Sequence, residues 1–262
     1  TFSNIFIILY LLYPYLLGHG FYNPKDMPFL FVWLLCTYLS IKLFIKLDKD
    51  QKISISEILL ISFATSYLLS IRIAGILIFV HYLTLLLLFS SLEKNNLFNF
   101  LKENKKRILF FIFFVILFVY FLYPVFWKNP FLIFDAINQM KNFPQGVCTL
   151  TLGQCMKALN LPNSYIFIWL FYKLPLLILI GLLVLPLVEK KIFKNTNQII
   201  VFGSILLSVI IIIFLLIFFD VNLYDELRQI LFLFPLLMII GFISFYFFSK
   251  RILVILSFLT IL

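Results

Sequence analysis

Residues 58–92 read ILLISFATSYLLSIRIAGILIFVHYLTLLLLFSSL, and the way this run divides decides the fold. A helix needs about 20 apolar residues to cross the roughly 30 Å hydrocarbon layer of a bilayer, so the run is too long for one crossing. Ser70-Ile71-Arg72 interrupts it near the middle. An arginine is costly at the centre of a bilayer and far cheaper near its surface, where the guanidinium reaches water or an anion. The run is therefore read as two spans, 53–69 and 75–92, meeting at Arg72.

The rest of the chain repeats the pattern. Of its 262 residues 64% are hydrophobic and 12% charged, and the mean hydropathy is +1.13. That balance excludes an ordinary soluble domain and gives an all-α, polytopic transmembrane helix bundle. Candidate spans are 1–17 (cut), 29–47, 53–69, 75–92, 108–123, 166–188, 198–219 and 229–249. A truncated ninth begins near 252. No repeat or low-complexity linker divides them, so 1–262 is read as one membrane domain. Because the sequence opens at Thr1 inside an apolar run and stops at Leu262 inside another, it is expected to be an internal piece of a longer chain.

The net charge of +10 would suggest nucleic acid in a soluble protein; here it follows a topology rule. With the break at Arg72, one set of loops collects fourteen cations, from Lys42 to Lys52, Lys94 to Arg107, Lys190 to Lys194, and Lys250 with Arg251. The other set holds seven: Lys25, Arg72, Lys128, Lys141, Lys157, Lys173 and Arg228. The richer side is assigned to the cytoplasm. Without the break every later loop would change sides and the bias would vanish. The outer side also carries the one long connection, 124–165, which reads as partly helical; connections of that length usually serve a function or stay disordered.

The outer charges stand at helix ends, where chemistry has access to water. Residues 18–28, GHGFYNPKDMP, hold His19, Asn23, Lys25 and Asp26. A carboxylate at a bilayer boundary can orient a hydroxyl, act as base or bind a divalent cation. Asn23-Pro24 before an apolar run is equally an ordinary helix start, and the residues alone leave both open. Arg72 either snorkels or meets a phosphate. In Tyr224-Asp225-Glu226-Leu227-Arg228, Asp225 and Arg228 lie one turn apart; they either pair with each other or Arg228 turns to the same anion as Arg72.

His81 lies inside a span and reads as a helix-packing residue. Cys148 and Cys155, in the outer connection, form a disulfide if the compartment is oxidising, and Cys36 reads as a buried free thiol. No phosphate-binding loop, G-x-S-x-G or dinucleotide fingerprint occurs.

Four passages carry a resemblance: GHGFYNPKDMPFLFVWLLCTYLSIKLF, ISFATSYLLSIRIAGILIF, LGQCMKALNLPNSYIFIWLFYKLPLLIL and YDELRQILFLFPLLMII. They resemble the GT-C glycosyltransferases, in the branch of protein O-mannosyltransferases, aminoarabinose transferases and the RgtA/B/C/D-like group. The resemblance implies a multi-pass enzyme of the bacterial inner membrane with its active site on the non-cytoplasmic face. It would move a sugar from a polyprenyl-phosphate donor to a lipid, glycan or protein acceptor, with Mg or Mn as a possible cofactor and no nucleic-acid partner. It makes Asp26 the acidic residue of an outer loop, with a role in acceptor or metal orientation, and Arg72 and Arg228 the phosphate-holding cations. Lys25, His19, Asn23 and Asp225 join them as substrate-binding residues. The family's main catalytic carboxylate would precede this segment, and Gln229 departs from the aromatic or His of relatives. Against this stands a transporter or flippase-like handler of an anionic or lipid-phosphate solute, which would place charge near the bilayer midplane and use broken helices.

Overall fold

The computed structural model describes residues 2–49, 51–92, 97–141, 148–157, 161–221, 223 and 225–250. Its helices in chain order are α1 (Phe2–Leu12), α2 (Pro14–Tyr22), α3 (Asp26–Asp48), α4 (Ile55–Ile71), α5 (Ile78–Leu92), α6 (Leu97–Glu103), α7 (Lys105–Leu122) and α8 (Leu132–Lys141). A two-stranded hairpin follows, β1 (Cys148–Thr151) and β2 (Gln154–Lys157), then α9 (Tyr165–Lys173), α10 (Leu176–Ile192), α11 (Thr196–Gln198), α12 (Ser204–Phe218) and α13 (Phe234–Phe248). The all-α expectation holds apart from the hairpin.

Among the described residues four helical stretches are long and apolar enough to cross a membrane: Asp26–Asp48, Ile73–Leu92, Thr196–Phe218 and Arg228–Phe248. Two bent pairs raise the number to six if each is one span. This is a multi-pass membrane protein. The remaining expected crossings differ for physical reasons. Span 53–69 corresponds to the 17-residue α4, and 108–123 to all but the first turn of α7 with its C-cap Tyr123, a helix that opens on Lys105-Lys106-Arg107. Spans 1–17 and 166–188 are broken by proline. Pro14 and Pro175 hold the preceding Tyr13 and Leu174 in extended conformation (ψ 115° and 140°), because the ring clashes with a helical residue before it. The helices then turn by 51° between α1 and α2 and by 119° between α9 and α10. The expected ninth span lies outside the described residues.

The break at Arg72 is where the sequence put it. α4 ends at Ile71, and Arg72 is extended (φ −150°, ψ 137°) before a 3-10 turn, Ile73–Leu77, leads into α5. Gly75 lies close against α4 there: a Cβ would stand 3.0 Å from the backbone of Leu68, a tight contact. At its other end α4 starts on a capping box: the Ser54 side chain accepts from the Glu57 N–H, while the Glu57 carboxylate accepts from the Ser54 N–H at 3.1 Å.

By contact density the chain forms two compact units: Thr1–Met27 with Pro144–Gln198 and Asn222–Leu262, and Pro28–Phe143 with Ile199–Val221. In the first, α10 and α13 cross at glycines. A Cβ built on Gly181 falls on the backbone of Gly241, and one on Gly241 lies 2.6 Å from the Ile178 carbonyl oxygen. Among helices in lipid such close backbone approach replaces the hydrophobic drive that water would supply. In the second, small polar side chains do the joining. Ser66 donates to the Val115 carbonyl at 3.1 Å, and Thr65 and Tyr82 share a hydrogen bond of 2.7 Å. His81 Nδ1 meets Ser208 Oγ at 3.3 Å, the helix-packing role read from its place in a span. Cys36 is a buried free thiol.

The hairpin within 124–165 was not foreseen. Its turn places Leu152 at φ 51° and Gly153 at φ 78°, the paired positive angles of a tight hairpin turn, for which Asn-Gly rather than Leu-Gly is the usual sequence. Cys148 and Cys155 are bonded across it. Closing so short a loop is worth about 2–3 kcal/mol of local stability. Cys148→Ser should therefore make the hairpin the first site of limited proteolysis while leaving the helical circular dichroism unchanged.

Candidate functional site

The site lies within the first unit and begins with the turn before α3. Asn23 Oδ1 accepts the Asp26 N–H at 3.0 Å, so the amide caps the helix. Its other end donates to Asp26 Oδ2 at 2.9 Å and meets His19 Nδ1 at 3.2 Å. With Nδ1 accepting from that amide, a neutral His19 carries its proton on Nε2, 3.4 Å from the Tyr22 hydroxyl. His19, Asn23 and Asp26 are all buried, at 5%, 3% and 3% exposure. The stretch starts a helix, as its Asn-Pro pattern suggested, and the same amide holds the Asp26 carboxylate in place.

The carboxylate has a partner 202 residues away in sequence. Arg228 Nε donates to Asp26 Oδ2 at 2.7 Å, and Arg228 Nη1 donates to Asp225 Oδ2 at 3.1 Å. The two carboxylates differ in kind. Asp26 is 3% exposed and Asp225 57%, with Arg228 between them at 39%. Pairing between exposed residues one turn apart is worth only about 0.2–0.5 kcal/mol, whereas a buried carboxylate depends on its cation. Asp26 thus anchors the guanidinium, and Asp225 is a partner that an incoming anion can displace.

Asp225 and Glu226 both take left-handed backbone, at φ 59° and 60°. Two consecutive non-glycine residues in that region store strain, which persists where neighbours over-determine the loop. The neighbours here are identifiable. Asp225 N–H donates to Thr149 Oγ1 of β1 at 3.2 Å, and Glu226 pairs with Lys173 at 2.6 Å. The Lys173 ammonium also lies 4.9 Å from the centre of the Tyr15 ring and 5.1 Å from that of Trp169. Aromatic faces stabilise a cation held at such distances. Beside it an open cleft of about 300 Å³ is lined by Leu150, Thr151, Leu152, Ile168, Trp169, Tyr172 and Lys173, and Trp169 Nε1 donates to Thr151 Oγ1 at 3.2 Å.

Of the residues singled out from the sequence, His19, Asn23, Asp26, Asp225 and Arg228 come together. Lys25 is exposed on the same turn. Arg72 belongs to the second unit. Lys173, Glu226, Trp169 and Tyr15 were missed as site residues. Their one legible signal is the spacing of Trp169 and Lys173, four apart just before Leu174-Pro175, which puts ring and ammonium on one face at a break. Asp26 Oδ2 is taken by both Arg228 and Asn23. Among the described residues no three His, Cys, Asp or Glu side chains group to hold a metal. Compared with protein-family models, curated proteins and solved structures, the chain gives no match.

Proposed function

We propose that this chain is part of a GT-C-like membrane glycosyltransferase with eight or more crossings. It takes a sugar from a polyprenyl-phosphate donor and gives it to a hydroxyl of a lipid, glycan or protein on the non-cytoplasmic face of a bacterial inner membrane. The observation that carries the reading is Arg228, anchored behind by buried Asp26 and held in front by exposed Asp225. A donor phosphate displaces Asp225, while Asp26 keeps the guanidinium aimed. As the acceptor oxygen bonds to the anomeric carbon, the bond from that carbon to the phosphate oxygen breaks. The phosphate leaves with the electron pair, the hydroxyl proton passes to a carboxylate base, and the guanidinium stabilises the growing charge. Trp169 and Tyr172 offer a face for the sugar ring, and the prenyl tail stays in lipid. Asp26 is a positioning residue in this scheme, and no step is routed through a metal. Arg72 enters the phosphate clamp through the family resemblance alone.

The test is sugar transfer by the full-length gene product in proteoliposomes supplied with polyprenyl-phosphate hexoses. Arg228→Ala or Arg72→Ala should reduce turnover about 100-fold or more, the usual cost of removing a donor aimed at developing charge. Turnover retained in either variant removes that residue from the clamp. One observation favours a second reading, an anionic-solute transporter: the 119° break between α9 and α10 carries Lys173 and Glu226 beside it, and broken helices with charge are how such carriers build their sites. Uptake of an anionic solute by acceptor-free proteoliposomes, without sugar transfer, would establish that reading instead.

A further inference from the structure

The second unit contains a half-open cavity of about 250 Å³, walled by Leu43, Phe44, Ile61, Leu86, Phe100 and Leu101. Its volume falls below the roughly 300–1,000 Å³ of pockets for drug-sized ligands, so it suits a section of one hydrocarbon chain, the rest emerging through the open side. Asn104 and Arg107 complete the lining at the start of α7. The charge at that end is one-sided. Residues 102–107 read KENKKR, four cations against one carboxylate. Lys105, Lys106 and Arg107 occupy the first turn of an 18-residue helix with no acid among them.

A helix N-terminus carries partial positive charge and favours anions, so three cations there oppose the macrodipole. Among the described residues no carboxylate forms an ion pair with them. Arg107 Nη1 donates to Asn104 Oδ1 at 2.7 Å, a neutral partner that holds the guanidinium in place without cancelling its charge. Nearby Lys46, by contrast, is neutralised by Glu57 at 2.5 Å. An apolar slot with uncompensated cations at its end is complementary to a molecule that joins an alkyl chain to a phosphate.

We propose that this cavity is a binding site for an anionic phospholipid, with one acyl chain between Phe44, Leu86 and Leu101 and its phosphate on Arg107, while Lys105 and Lys106 beside it in the same turn add positive potential. Clusters of basic residues at a helix end are drawn to anionic lipid surfaces. The cavity adds what a surface cluster lacks, a place for the chain. The inference rests only on the second unit and stands independently of sugar transfer.

The test uses full-length protein in detergent, followed by native mass spectrometry and thermal unfolding with phosphatidylglycerol, phosphatidylcholine or inorganic phosphate added. We expect one retained phosphatidylglycerol and a rise in melting temperature with that lipid alone. Arg107→Gln should weaken phosphatidylglycerol binding at least tenfold. Leu101→Trp, at a position 36% exposed, should plug the slot and weaken binding equally with every charge intact. If Arg107→Gln fails to fold, the exposed pair Lys105→Gln/Lys106→Gln gives the same readout. Equal binding of phosphatidylcholine, unchanged binding in the charge variant or in Leu101→Trp, or an equal shift from inorganic phosphate would overturn the proposal.

Discussion

Arg228→Ala should cost the full-length protein about 3 kcal/mol of stability, the lower end of what removing one partner of a buried ion pair costs, besides its effect on turnover. The reason lies on the carboxylate side. Asp26 is 3% exposed and receives the Arg228 Nε at 2.7 Å, so without the guanidinium a buried carboxylate loses its cation and keeps the neutral Asn23 amide as a donor at 2.9 Å. Arg228→Lys should recover only part of the loss, since an ammonium cannot reach Asp26 and Asp225 with a planar fork.

A double-mutant cycle separates this account from a general loss of packing. Asp26→Asn removes the charge that needs the partner. The double variant Asp26→Asn/Arg228→Ala should then be little less stable than Asp26→Asn alone, with a coupling of about 1.5 kcal/mol or more, well within the range seen for directly bonded pairs. Additive losses in thermal or denaturant unfolding would show that Asp26 and Arg228 do not hold each other. Asp225→Asn should change stability by less than about 0.5 kcal/mol, as expected for an exposed pair one turn apart.

The second large effect concerns helix packing. Gly181→Val should disrupt the α10–α13 crossing, because the new Cβ would coincide with the backbone of Gly241 rather than with a movable side chain. Overpacking usually costs about 1–3 kcal/mol, and backbone against backbone puts this variant at or above the upper end. α13 holds several of the most deeply buried apolar side chains of the first unit, among them Phe234, Met238 and Ile240 at 0% exposure. Loss of that contact should therefore lower the yield of folded protein in size-exclusion chromatography. Gly18→Ala, where a Cβ meets nothing within 4 Å, is the matched control. Equal behaviour of the two variants would show that the crossing does not depend on bare backbone.

The candidate site was only partly visible in the amino-acid order. Asp26 and Arg228 could be selected because each is a charge at the end of an apolar run, where the cost of burial makes a charged residue conspicuous. Asp225 could be paired with Arg228 by helical spacing. Lys173 and Glu226 were hidden, because a lysine after an apolar helix looks like any interfacial anchor, and the left-handed backbone that turns Glu226 toward it leaves no trace in composition. The hairpin escaped for a similar reason: its turn uses Leu where glycine or asparagine is expected. The bends within apolar runs were not visible because hydropathy sums along the chain and is blind to direction, while Pro14 and Pro175 redirect the backbone inside two of those runs.

By itself the sequence determined that this is a helical membrane protein broken at Arg72, since apolar length and the cost of a charge in hydrocarbon are local properties of the chain. Tertiary structure alone decided that Arg228 bonds Asp26 across most of the polypeptide, that Gly181 and Gly241 touch, and that Lys173 meets Glu226. These depend on which helix faces meet. In a bilayer, where nearly every face is apolar, the hydrophobic pattern that marks the inward face of a soluble helix carries little of that information.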